Sequence, residues 1–64
     1  MNWIKWNKST HITNTGYMIG RIDKVGRVFK CSIYEGNTQV WSGSFKSLSK
    51  AKREVALFLH NNPF

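Results

Sequence analysis

Helical periodicity appears once in this chain, and it comes last. Leu48, Ala51, Val55, Phe58 and Leu59 recur at spacings of three and four, which places them on one stripe of an amphipathic helix. Ser47 stands where an N-cap hydroxyl would accept from an orphan first-turn N–H, and Asn61, Asn62 and Pro63 supply a stop. A helix with one apolar stripe has to bury it against another layer, so the segments before it must provide a surface. They read as strands: Tyr17 to Asp23, Arg27 to Glu35 and Thr38 to Phe45, separated by the turn-rich Lys24-Val25-Gly26 and Gly36-Asn37.

In the middle strand Phe29, Cys31 and Ile33 alternate with Val28, Lys30, Ser32 and Tyr34, so one face is apolar and the other mixed and polar. Trp41 and Phe45 share a parity and are expected inward, with Gly43 leaving room for a close approach of helix and strand. In the first strand Met18 and Ile22 compete with Tyr17 and Ile19 for the inward positions. Asn2 to Asn7 is a candidate edge strand, and if it forms, Trp3 and Trp6 lie on opposite faces; Ser9 to Gly16, with Thr10, Thr13, Asn14 and Thr15, reads as a polar connection. The expected fold is α+β: a three-stranded, or with the first segment four-stranded, antiparallel sheet packed on one C-terminal helix.

A chain of 64 residues makes one small domain with a limited core. Its 41% apolar content argues for a folded core rather than disorder. Ten Lys and Arg against three acids give a net charge of +7 and a pI near 10.1, which favours polyanionic partners. The lone Cys31 excludes an internal disulfide and has no Cys or His at metal-ligand spacing, so a reducing cytoplasm is expected and no metal or other cofactor. No apolar run approaches the ~18 residues that span a bilayer, and MNWIKWNKS lacks the apolar segment of a signal peptide.

Catalysis finds little to stand on. Asp23, Glu35 and Glu54 are the only carboxylates, His11 and His60 lie near opposite ends, and the glycines are too scattered for a phosphate-binding loop. Two surfaces invite an anion instead. One is the sheet face that a single helix leaves open, where the middle strand presents Lys30, Ser32 and Tyr34, joined by Tyr17 and Arg21 if the first strand turns Tyr17, Ile19, Arg21 and Asp23 outward; such a face suits phosphate contacts and stacking. The other is the helix start, where Lys46, Lys50, Lys52 and Arg53 oppose the helix dipole and would be relieved by phosphate oxygens.

The junction GSFKSLSKAKREVA resembles the arm-type DNA-binding domains of phage and transposon integrases, in which a Gly-x-Phe-x-(Ser/Thr) turn leads into a helix with a Glu-Ala or Lys-Ala step. That resemblance covers the pattern from about Gly16 to Asn62. It implies a sheet laid in the DNA major groove with Arg21, Arg27, Lys30 and Tyr34 on or near the reading face. Lys50, Ala51, Lys52 and Arg53 followed by Glu54, Val55 and Ala56 are also similar to the last helix of double-stranded-RNA-binding domains, which implies phosphate contacts across an RNA major groove. The first helix of that family has no counterpart in this sequence.

The function expected is therefore non-enzymatic binding of duplex DNA through Arg21, Arg27, Lys30, Tyr34, Lys46, Lys50, Lys52 and Arg53. Such a protein would serve as a phage or mobile-element accessory factor. The alternatives are a double-stranded-RNA binder and a phage-type inhibitor that binds an acidic host protein through an aromatic and basic surface anchored by Trp3, Trp6 and Tyr17. A homodimer through an exposed edge strand is a further expectation.

Overall fold

The computed structural model describes residues 2–61. They form β1 (Ile4–Lys5), β2 (Thr10–Asn14), β3 (Ile19–Val25), β4 (Val28–Glu35), β5 (Thr38–Phe45) and α1 (Leu48–Asn61). The strands make one five-stranded antiparallel sheet in the order β1-β2-β3-β4-β5, a meander in which every strand pairs with its neighbours in sequence. α1 folds back over one face and packs on β3, β4 and β5. Among the described residues no helix is long and apolar enough to cross a membrane.

The sheet thus has five strands where three or four were expected, and the difference is β2. Its segment looks like a polar loop because a threonine stands on each face, Thr13 toward the helix and Thr10 in the open-face row of Asp23 and Lys30, yet both are buried. Burying a hydroxyl is cheap only when it is hydrogen-bonded. Thr13 Oγ1 donates to the Asn2 carbonyl at 2.6 Å and Thr10 Oγ1 donates to Asp23 Oδ1 at 2.7 Å. Their β-branched stems then pack as strand residues do. Asn2 to Asn7 contributes only the two-residue edge strand β1, and Trp3 and Trp6 do part to opposite sides: Trp3 packs on the core while Trp6 is exposed.

Turn chemistry fixes the register. Gly26-Arg27 and Gly36-Asn37 are two-residue connections between Val25↔Val28 and Glu35↔Thr38. Each glycine has positive φ (64° and 63°), and among the described residues no other residue type does, the signature of a II′ hairpin turn whose twist matches that of the strands. β3 begins at Ile19 rather than Tyr17 because the chain is still turning there: Thr15 N–H donates to the Met18 carbonyl at 3.0 Å across Gly16 (φ 89°). On β5, Val40 is an extra residue between the pairs Tyr34↔Gln39 and Ile33↔Trp41, a bulge that twists this edge strand.

The competition for inward positions resolves in favour of Met18, just before β3, and Ile22 within it, which join Cys31, Ile33, Ala51, Val55 and Leu59 in the buried core. Leu48, Phe58, Phe29, Trp41, Phe45 and Trp3 pack around it, so the helix stripe and the middle-strand alternation hold as expected. Ser47 caps α1, its Oγ accepting from Lys50 N–H at 3.3 Å and its carbonyl from Ala51 N–H at 3.0 Å. Asn61 is the last helical residue; Asn62 and Pro63, expected as the stop, lie outside the described residues.

The glycine that admits the helix is Gly20, not Gly43. A Cβ on Gly20 would stand 2.8 Å from Val55 Cγ1, whereas one on Gly43 would meet the rings of Trp41 and Phe45. Those two rings stack at 6.4 Å between centroids because nothing stands between them on the strand.

Candidate nucleic-acid interface

Meander topology sends alternate connections to the same end of the sheet. The β1–β2 loop, the β3–β4 hairpin and the β5–α1 junction share one end, and a hydrogen bond from Lys24 N–H to the Ser9 carbonyl (2.8 Å) ties the first two together. These connections carry Lys8, Arg27 and Lys46; Lys24 stands at the end of β3 with its Nζ 5.9 Å from the Phe29 ring, and the first helical turn adds Lys50; all five are exposed. The opposite end, formed by the β2–β3 and β4–β5 turns and the helix C-terminus, carries Glu35 and His60, with no Lys or Arg among the described residues of those turns. The charge is therefore polar along the strands, with a basic pole at one end.

At that pole a shallow groove is lined by Val28, Ser44, Phe45, Lys46, Ser47 and Lys50. The first turn of α1 contains no acidic residue. The partial positive charge of the helix start and the two ammonium groups consequently act in the same direction, and the groove attracts an oxyanion. Lys30 faces the open side of the sheet one row in, in register with Asp23 and Ser44.

The open face is organised around Arg21. Its Nε donates to Asp23 Oδ2 at 2.8 Å, and the other oxygen of the same carboxylate accepts from Thr10. The Arg21 guanidinium carbon lies 5.5 Å from the centre of the Trp6 ring, within cation–π range. Partial burial tends to raise the Asp23 pKa, but the hydrogen bonds from Arg21 and Thr10 outweigh it and hold the carboxyl below its ordinary value. The hydrogen bond to Asp23 in turn pushes the Arg21 pKa up, and Tyr34 stands close enough to add to that electrostatically. Tyr34 pairs with Ile19 in the next row.

The residues singled out from sequence therefore divide. Arg27, Lys46 and Lys50 lie at the pole, and Arg21, Lys30 and Tyr34 on the open face. Lys52 leaves the group: unlike Lys24 it is half-buried, and its Nζ lies 5.7 Å from the Trp3 ring on the helix side, where it and Lys5 help to lower the pKa of His11, after the larger effect of desolvation. Arg53 is exposed one turn along, between a groove shared with Lys50 and one shared with Asn14 and His60. Tyr17 sits at the far end, its hydroxyl donating to Glu35 Oε1 at 2.7 Å. Lys8 and Lys24 were missed in sequence because only the pairing of strands brings them to the pole. Their position in or beside alternate connections was the available signal.

Among the described residues no group of three or more His, Cys, Asp or Glu stands where it could hold a metal ion. Burial, and then the Asp23 charge, pushes the Cys31 thiol up to about 11. Comparison with protein-family models, curated proteins and solved structures finds no match, so the functional reading rests on this geometry.

Proposed function

We propose that this protein is a small non-enzymatic nucleic-acid-binding module that holds duplex DNA by its phosphate backbone, in the manner of a phage or mobile-element accessory factor. The observation that carries this reading is the basic pole: Lys8, Lys24, Arg27, Lys46 and Lys50 are gathered at one end of the sheet by the strand order, with Lys30 beside them. The hairpin and the helix start are held by backbone hydrogen bonds, so these cations project from a rigid frame. That suits the regular phosphates of a duplex, which carries a charge every ~1.7 Å along its axis. Lys52, turned toward Trp3, is less available for the contacts that a double-stranded-RNA reading asks of it. The free thiol of Cys31 suits a reducing, cytoplasmic setting.

Fluorescence anisotropy with a labelled blunt duplex tests the proposal. About five phosphate contacts correspond to a loss of roughly 500-fold in affinity between ~50 and ~200 mM salt. Lys8→Glu combined with Arg27→Glu should flatten that dependence and weaken binding, since both side chains are exposed on loop and turn and lie outside the core. Salt-independent binding, or binding indifferent to the double substitution, would sink the reading. An acidic protein partner is the second reading, favoured by the exposure of Ile4 (67%) and Trp6 (62%), which is high for large apolar side chains. It predicts retention of a protein from lysate by the wild-type chain and its loss in Trp6→Ala, with no affinity for the duplex.

A further inference from the structure

Trp6 is the most exposed aromatic side chain that the described structure anchors from below. The guanidinium of Arg21 lies against the ring, Asp23 holds Arg21, and Thr10 holds Asp23. The backbone is fixed too, with Trp6 N–H donating to the Thr10 carbonyl at 2.9 Å. An indole left 62% exposed would ordinarily be free to fold down onto the neighbouring Ile4 and Ile12. Here a relay of charge-assisted contacts supports one side of the ring and leaves much of its surface to solvent. Trp6 also opens the β1–β2 loop that carries Lys8 and is bonded to the β3–β4 hairpin, so this indole borders the basic pole directly.

We infer that the Trp6 indole is a stacking platform for an unpaired nucleobase, positioned next to the pole that holds the duplex phosphates. This inference rests on the nucleic-acid reading and deepens it: the preferred ligand is a duplex with an adjoining single-stranded segment. A base offers a flat π-face that an indole can cover whatever the sequence. Charge complementarity favours this occupant over an apolar protein surface, because the Arg21–Asp23 pair is neutral and Lys30 on the same face, with Lys8 in the adjoining loop, leaves the surroundings net positive. A duplex end seated at the pole would leave its unpaired strand beside Trp6, with Tyr34 further along the open face as a second aromatic surface.

The test compares three labelled duplexes by anisotropy: blunt, with a short thymidine overhang, and with an abasic overhang of equal length and charge. Each overhang is made with both strand polarities. For the wild-type chain the thymidine overhang of one polarity should tighten binding roughly tenfold over its abasic counterpart, the scale of stacking one base. Trp6→Ala should erase that difference while changing blunt-duplex affinity by less than about twofold, and Trp6→Phe should keep part of it. Heteronuclear spectra of both variants check that the domain stays folded, as expected for a side chain this exposed. If thymidine and abasic overhangs bind alike, or if the gain survives Trp6→Ala, the platform is refuted while the duplex reading stands. If no duplex binds at all, both fall.

Discussion

Gly20→Ala is the sharpest probe of how the helix meets the sheet. The new methyl would stand 2.8 Å from Val55 Cγ1, 3.1 Å from Thr13 Cγ2 and 3.5 Å from Leu59 Cδ1. The first distance is shorter than carbon atoms tolerate, and neither close neighbour can step aside. Val55 is fully buried and β-branched within a helix, where one χ1 rotamer dominates. Rotation of Thr13 would break its 2.6 Å hydrogen bond to the Asn2 carbonyl. The helix must then back away from β3 and loosen its cover over Ile22 and Ile33.

Overpacking of this kind costs about 1–3 kcal/mol. Replacing a strand glycine returns about 0.5–1 kcal/mol of backbone entropy; with both close neighbours fixed, the overpacking falls in the upper part of its range, about 2–3 kcal/mol, and the net loss is about 1–2 kcal/mol. At this chain length that corresponds to a fall in Tm of roughly 5–15 °C, measured by circular dichroism. Val55→Ala removes the opposing methyl, so the double variant should be less destabilised than the sum of the singles by about 1 kcal/mol. A Gly20→Ala protein that melts at or above the wild-type temperature, or strict additivity in the double variant, would show that the helix does not approach β3 at this point.

Two further consequences concern the ends of the core. Ser47→Ala removes the hydroxyl that accepts from Lys50 N–H at 3.3 Å; because that bond is long, the loss should fall near the low end of N-cap effects, about 0.5 kcal/mol, visible as a lower urea midpoint at unchanged m-value. Cys31, buried with its thiol pushed up to about 11, should resist a thiol-specific aromatic disulfide reagent at pH 8 in the native protein and react promptly in denaturant. Rapid reaction of the folded protein would contradict its place between strand and helix.

What could be read in advance was whatever announced itself through hydropathy. Phe29, Cys31 and Ile33 alternate plainly, Leu48 to Leu59 repeat with helical period, and Thr38–Phe45 matches its strand in full. β2 stayed hidden because Thr10 and Thr13 bury polar side chains, and their satisfaction depends on Asp23 and on the Asn2 carbonyl, neither of which is local in sequence. The same non-locality concealed Gly20, whose role exists only once Val55 is laid across it, and led to Gly43 being credited with a helix contact that belongs to Gly20.

The candidate interface divides along similar lines. Lys46 and Lys50 could be grouped with Lys52 and Arg53 by adjacency, but a helix turns side chains about 100° per residue, and Lys52 turns toward Trp3. Lys8, Lys24 and Arg27 are distant in sequence from Lys46 and join it only through the meander. The pairing of Trp6 with Arg21 likewise needed β1 to lie beside β2 and β2 beside β3.

The most direct measurement of the basic pole as a binding surface is a titration of the isotope-labelled protein with a blunt DNA duplex, followed in amide proton–nitrogen spectra. The account predicts progressive shifts concentrated at Lys8, Ser9, Lys24, Arg27, Lys46 and Lys50, with the Glu35–Gly36–Asn37 turn and His60 unmoved. Shifts centred on that opposite end, or a spectrum unchanged by excess duplex, would contradict it.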